Sequence, residues 1–134
     1  MTLRSSGTHP IHIEQDVVMA RQTARKLATE CGMRLIDLTK LVTAVSELAR
    51  NILKYAGRGQ IELSVVTRGS QRGLQAVAVD QGPGIESIEL AMRDHFSSSQ
   101  TLGLGLPGTK RLVDDFEIDS TPGHGTRVVV RKWV

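Results

Sequence analysis

Four short stretches of this chain carry residue types that can do chemistry at a useful spacing. Glu47 and Asn51 stand four apart in a helical pattern and so share one face. A carboxylate there can take a proton from a hydroxyl nucleophile. An amide oxygen one turn on can hold Mg2+, which prefers hard oxygen ligands and keeps several waters. Lys54 continues the same face. The pair also fits a solvated helix flank on which Glu47 pairs with Arg50 or Lys54. Asp80-Gln81-Gly82-Pro83-Gly84 closes a strand pattern with an acid and two alternate glycines. An anchored carboxylate can accept a hydrogen bond from an exocyclic amine, and glycines let backbone approach a flat ring. The same residues also make an ordinary turn.

Gly103-Leu104-Gly105-Leu106 precedes a helical stretch, with Lys110 and Arg111 about one turn in. The first N–H groups of a helix form a ready anion site. This is neither a Walker loop nor a dinucleotide fingerprint, because the G-K-[ST] ending and the opening strand are missing. A flexible glycine loop is the plain alternative. Gly125-Thr126 opens the last strand pattern, where a threonine hydroxyl can reach the same ligand as Asp80. By itself it reads as a hairpin turn.

The elements that must hold these residues follow from hydrophobic period and punctuation. Ile11-His12-Ile13 alternates and predicts a short strand, with His9 and His12 as ordinary surface residues. Glu14 to Cys31 carries Val17, Val18, Ala20, Ala24, Leu27, Ala28 and Cys31 at helical spacing, with Gly32 just past its end. A second helix is predicted over Leu35 to Tyr55, with a core stripe of Leu41, Val45, Leu48 and Ile52 and Gly57 as its stop. Gln60 to Thr67 and Leu74 to Asp80 read as a hairpin across Arg68 to Gly73. Glu86 to Arg93 reads as a short helix, and Asp94 to Leu102 as a polar, mobile stretch. A helix entered through Pro107 runs to about Val113. Phe116 to Ser120 and Thr126 to Val134 close the chain as a hairpin. The predicted fold is α/β: a two-layer sandwich of a mostly antiparallel mixed sheet with helices on one face.

Composition narrows the function classes. The 134 residues are enough for one domain, taken as 1–134 with a core from about 11, and no linker or repeat divides them. Apolar residues make up 40% and charged residues 23%, a soluble globular balance. The net charge of +3 comes from scattered cations without an aromatic stacking platform, which weighs against nucleic acid as partner. The single cysteine, Cys31, excludes an internal disulfide and reads as a core residue. The absence of a membrane-length apolar run and of a signal segment points to the cytosol.

The order of the four stretches is more specific than any one of them. Glu-x-x-x-Asn on a helix, Asp-x-Gly-x-Gly after a strand, Gly-x-Gly-Leu before a helix and Gly-Thr before a strand together resemble the GHKL family. That is the ATP-binding (Bergerat) fold shared by DNA gyrase, heat-shock chaperones, sensor histidine kinases and MutL. Ser46-Glu47-Leu48-Ala49-Arg50-Asn51, Asp80 to Ile85 and Gly105 to Leu112 are similar to the anti-sigma-factor serine-kinase branch, and within it to the stressosome switch kinases. The likeness spans about Ile11 to the C-terminus.

The resemblance implies a protein serine/threonine kinase that uses ATP and Mg2+. It matches Asn51 to the Mg2+-ligating asparagine and Glu47 to the acid that activates a hydroxyl acceptor. It matches Asp80 to the aspartate on the adenine amino group, Gly82 and Gly84 to the glycines against the base, and Thr126 to the threonine near adenine. Gly103, Leu104, Gly105 and Leu106 match the phosphate segment, and Lys54 is implied as a further phosphate contact. The implied partners are a STAS-domain substrate and, by partner switching, a PP2C-type phosphatase or other effector. An alternative in the same branch is an anti-sigma factor that sequesters a sigma factor and phosphorylates its antagonist. A third is the detached ATPase half of a histidine kinase. The segment from Ile85 to Gly103 is short for a lid, which implies an open nucleotide site. Neither a helix with a phospho-acceptor histidine nor a transducer domain is seen, which weighs against the sensor-kinase and gyrase-like readings.

Overall fold

In the computed structural model the residues described are 2–84, 92 and 105–134. The expected helix over 86–93, apart from Met92, the stretch 94–102 and the phosphate-segment residues Gly103 and Leu104 lie outside them. Five strands form one sheet: β1 (Thr2–Ile11), β2 (Gly59–Arg68), β3 (Gln71–Asp80), β4 (Asp115–Ser120) and β5 (Thr126–Trp133), in the order β1-β2-β3-β5-β4. All four pairings are antiparallel, so the mixed sheet expected from the sequence has no parallel pair among the described residues. Helices α1 (Glu14–Glu30), α2 (Leu35–Asn51) and α3 (Gly105–Leu112) complete the described elements, with a π-helical turn over Ile52–Ala56 continuing α2.

The strand period sorts the sheet into two faces. Ile61 and Leu63 of β2, Leu74, Ala76 and Ala78 of β3, and Val128 and Val130 of β5 share the face that packs in the helix-covered core. Phe116 and Ile118 of β4 join its edge. From the helices come Val17, Ala20, Ala24 and Leu27 of α1 and Leu41, Val45 and Leu48 of α2. A fully buried Leu such as Leu41 or Leu63 contributes roughly 2 kcal/mol of transfer free energy. Helix α2 is buried along most of its length, Ala44, Ser46, Glu47 and Ala49 included, because α3 packs on it as well. Buried Ser46 spends its hydroxyl proton on the Val42 carbonyl, 3.0 Å away. At the far end of the sheet the Lys132 ammonium lies 3.8 Å from Asp37 of α2 and 3.6 Å from Asp114 beside β4, tying the layers together.

Asp16 fixes the start of α1. Its carboxylate accepts the N–H groups of His12 (2.8 Å) and Ile13 (3.0 Å), the acidic half of a capping box. The His12 bond first, then the Ile13 bond, hold its carboxyl below its ordinary value. A lowered folded-state pKa gives stability that is present above the unfolded-state pKa and lost as pH falls through the folded one. Asp16→Ala is therefore expected to lower Tm slightly at neutral pH, with the gap to the parent chain closing in acid. Thermal melts across the carboxylate range check this. At the other end Gly32, at φ +80°, stops α1, and the Met33 N–H reaches back to the Ala28 carbonyl at 3.0 Å. Cys31 beside it is buried, and burial pushes its thiol up.

Several boundaries differ from the sequence reading. The first strand covers Thr2–Ile11, and Ile13 stands at the helix cap instead of in the strand. Val18 is exposed, off the core stripe of α1. The hairpin loop is only Gly69-Ser70, because Arg68 pairs with Gln71; Gly69 sits at φ +60°, as a two-residue hairpin requires. Helix α3 begins at Gly105, two residues before Pro107, and the proline falls in a first turn whose N–H groups need no helical partner.

Candidate functional site

The site forms where four strands end together. Gly59 pairs with Asp80, Asp80 with Thr126, and Thr126 with Ser120, so β2, β3, β5 and β4 finish in one cross-strand row. By strand period the row faces the same side as Ala78, Val128 and Ile118, the side the helices cover. Asp80 Oδ1 accepts the Gly82 N–H at 2.9 Å. Its other oxygen has no hydrogen-bond partner among the described residues. Thr126 Oγ1 lies 2.8 Å from Ser120 Oγ, which also donates to the Gly125 carbonyl at 3.0 Å. A cavity of about 150 Å³ opens at this end, lined by Asp80, Gln81, Ser120, His124 and Thr126 among others.

Glycines at this end keep backbone segments in close contact. A Cβ on Gly82 would stand 2.6 Å from the Ala56 Cβ, and one on Gly59 would stand 2.9 Å from Ile52 Cγ2. The π-helical turn thus lies directly on the end of the sheet. Gly84 sits at φ +77°, where a Cβ would run into the Thr121 carbonyl oxygen, and the Gly123 N–H donates to the Pro83 carbonyl at 2.7 Å. These contacts pin the loop after Asp80 between the helix end and the β4–β5 hairpin. Gly125, at φ +91°, lies against the Asp80 carbonyl itself. The alternate glycines have a packing reason beyond any ligand, and it is invisible in the sequence.

Asn51 reaches the same end from α2 through Ile52, and Glu47 stands one turn before it. Glu47 is 7% exposed, and Arg50 Nη1 stands 3.3 Å from its Oε1. The ion pair the plain reading expected is present, but on a buried carboxylate instead of a solvated flank. Asn51 is half-buried at the last turn of α2, and its side-chain amide has no hydrogen-bond partner among the described residues. Ile52 follows it directly and meets Gly59 in the end row. Lys54 is exposed, with its ammonium 5.3 Å from the Tyr55 ring centroid. Gly105 starts α3 at φ +69°, with Leu106 beside it; Gly108 and Thr109 are buried, and Lys110 and Arg111 are exposed.

Glu47, Asn51, Asp80, Gly82, Gly84, Gly105, Leu106 and Thr126 are therefore placed as described, while Gly103 and Leu104 are not among the described residues. Sequence reasoning missed Ser120, Gly59 and the π-helical turn. Ser120 carried a usable signal, since it ends one strand as Thr126 opens its hairpin partner. The turn carried none. Single π turns within helices cluster at functional sites.

The chain matches the family model of the histidine kinase-like ATPase domain over residues 13–132. It belongs to that family. It is 48% identical to serine/threonine-protein kinase RsbT of Bacillus subtilis (strain 168) over 124 residues, 92% of this chain and 93% of the relative. It is also similar to two anti-sigma F factors. That of Thermoanaerobacter sp. (strain X514) is 27% identical over 124 residues, 90% of this chain and 87% of the relative. That of Clostridium acetobutylicum is 29% identical over 118 residues, 84% and 82%. The family implies use of ATP. Among the described residues, no helix is long and apolar enough to cross a membrane.

The residues present suit a magnesium nucleotide. No cluster of three or more His, Cys, Asp or Glu side chains exists among the described residues. Mg2+ needs no such cluster, since one or two protein oxygens, phosphate oxygens and water complete its shell. The amide oxygen of Asn51, without a hydrogen-bond partner among the described residues, fits that requirement.

Proposed function

We propose that this chain, a serine/threonine-protein kinase by its family and its near-full-length likeness to RsbT, transfers the γ-phosphate of ATP to a serine of a small STAS-domain partner. The observation that supports it best is the junction of the sheet's end row with the C-terminal end of α2. There an acceptor pair, Asp80 and Thr126, is locked by glycine contacts to the turn that follows Asn51.

The Asp80 oxygen left over by Gly82 accepts from the adenine amino group, with Thr126 beside it and Gly82 and Gly84 against the base. By the family resemblance, Gly103 to Leu106 and Lys54 are the residues to meet the phosphates. Asn51 is the residue to hold Mg2+, which when bound screens the phosphate charge. Glu47 takes the proton of the incoming serine hydroxyl as the phosphoryl group moves in line. The protein's main contribution is position and preset charge. Phosphorylation of the partner releases the kinase to a downstream PP2C-type phosphatase or other effector, in the cytoplasm.

The likeness to anti-sigma F factors favours one second reading, in which the chain holds a sigma factor and phosphorylates its antagonist. One experiment separates the two: γ-labelled ATP, Mg2+ and the protein with a STAS-domain protein from the same genome, then peptide mapping. Acid-stable label on one partner serine, lost with Asn51→Ala, is the expected result. No label on the STAS protein, with stable capture of a sigma factor, would move the assignment to the second reading. Acid-labile label would mean phosphohistidine and contradict both.

A further inference from the structure

We infer that Ile52 and Ala56, the first and last residues of the π-helical turn, are positioning residues for Asp80: they fix the direction of its carboxylate and so set how strongly the site favours a purine with a 6-amino group. The inference rests on the reading above that Asp80 meets the base.

Asp80 has two glycine neighbours, and each end of the turn rests on one of them. Gly59 is its register partner on β2. The place a Cβ would take on Gly59 lies 2.9 Å from Ile52 Cγ2 and 3.1 Å from Asp80 Cβ. The Ile52 methyl and the root of the Asp80 side chain therefore border one small gap, over a residue with no side chain of its own. Gly82 donates its N–H to Asp80 Oδ1 at 2.9 Å. The place a Cβ would take on Gly82 lies 2.6 Å from the Ala56 Cβ and 3.2 Å from that same Oδ1. Ile52 thus bounds the root of the Asp80 side chain, and Ala56 bounds its hydrogen-bonded end.

Two torsions place the second oxygen of an aspartate. Ile52 borders the first at Cβ, and the Gly82 N–H, backed by Ala56, sets the second. The backing is firm on both sides. Ile52 is 3% exposed, and a β-branched side chain in a helix is stiff at χ1. Beyond Gly82, a Cβ on Gly84 would meet the Thr121 carbonyl oxygen, and the Pro83 carbonyl takes the Gly123 N–H at 2.7 Å. That leaves Gly82 little room to retreat from Ala56. A hydrogen bond weakens steeply as its angle opens. A turned Asp80 carboxylate therefore loses the amino group of a base first, while the ring, sugar and phosphates keep their other contacts.

The test is calorimetric titration of the whole chain, with Mg2+, comparing ATP with purine riboside 5′-triphosphate, which lacks only the 6-amino group. The parent is expected to prefer ATP. Ala56→Val drives a branched side chain onto Gly82 and is expected to lose about tenfold of that preference through weaker ATP binding, roughly one hydrogen bond to a charged acceptor. Ile52→Leu keeps the side-chain volume but removes the methyl over Gly59, and is expected to lose about threefold. Ile52→Val keeps that methyl and is expected to keep the preference, although it loses a core methyl group and melts lower. The Ile52 pair decides the matter even where Ala56→Val does not fold. Equal weakening of both nucleotides in Ile52→Leu, no change in either, or as large a loss of preference in Ile52→Val, overturns the inference while the base-site reading stands. A parent chain that binds the two nucleotides equally overturns the base-site reading and this inference with it.

Discussion

Asp80→Asn is expected to weaken ATP binding by about a hundredfold or more and to leave the fold intact. The reason is specific to how Asp80 is held. One oxygen is occupied by the Gly82 N–H at 2.9 Å, a bond that the asparagine oxygen can keep. The replaced atom is the other oxygen, which would become an NH2 donor facing the donor amino group of adenine. An attractive charged contact thus turns into a clash of donors, while the loop after Asp80 keeps its anchor. Gly59, Gly82 and Gly125 still pack as before, so Tm should move little. Calorimetric titration with ATP and a thermal melt check both halves. Unchanged ATP affinity would contradict the adenine role of Asp80.

Glu47→Ala is expected to do the opposite: retain ATP affinity within a few-fold and lose phosphoryl transfer by about 10²- to 10⁴-fold, the usual contribution of a positioned base. Glu47 sits on α2 between Ser46 and Leu48, both buried, with Arg50 Nη1 3.3 Å from its carboxylate. Arg50 is half-exposed and can find water once the carboxylate is gone. Single-turnover transfer to a STAS-domain partner, measured beside ATP affinity, separates the effects. Undiminished transfer would remove Glu47 as the base. Equal loss of binding and transfer would make it a structural residue.

The parts of this site that were legible in the sequence are those whose chemistry has a local signature. Glu47 and Asn51 show a four-residue helical spacing, Asp80 ends an apolar run, and Thr126 follows a glycine. The core stripe of α2 was equally plain, since Leu41, Val45, Leu48 and Ile52 are all at most 3% exposed. The parts that were hidden depend on distant contacts. β1 is an edge strand with a single neighbour, so Thr2 to Pro10 carries no apolar alternation to read, and an edge tolerates Pro10. The β2–β3 strands run to a two-residue turn through Arg68, Gln71 and Arg72, polar residues that look like loop. The glycines after Asp80 suggest ring binding or a turn, whereas their demand for space comes from Ala56 and Thr121, 26 and 37 positions away. The π-helical turn that brings Ala56 there has no period of its own. Ser120 acquires meaning only through its register with Thr126.

The most direct test of the account is a crystal structure of the protein with a non-hydrolysable ATP analogue and Mg2+. The account predicts the adenine amino group on Asp80 with Thr126 beside it, the metal on the Asn51 amide oxygen, and Glu47 facing the terminal phosphate. An analogue seated elsewhere, or a metal held without Asn51, would contradict it.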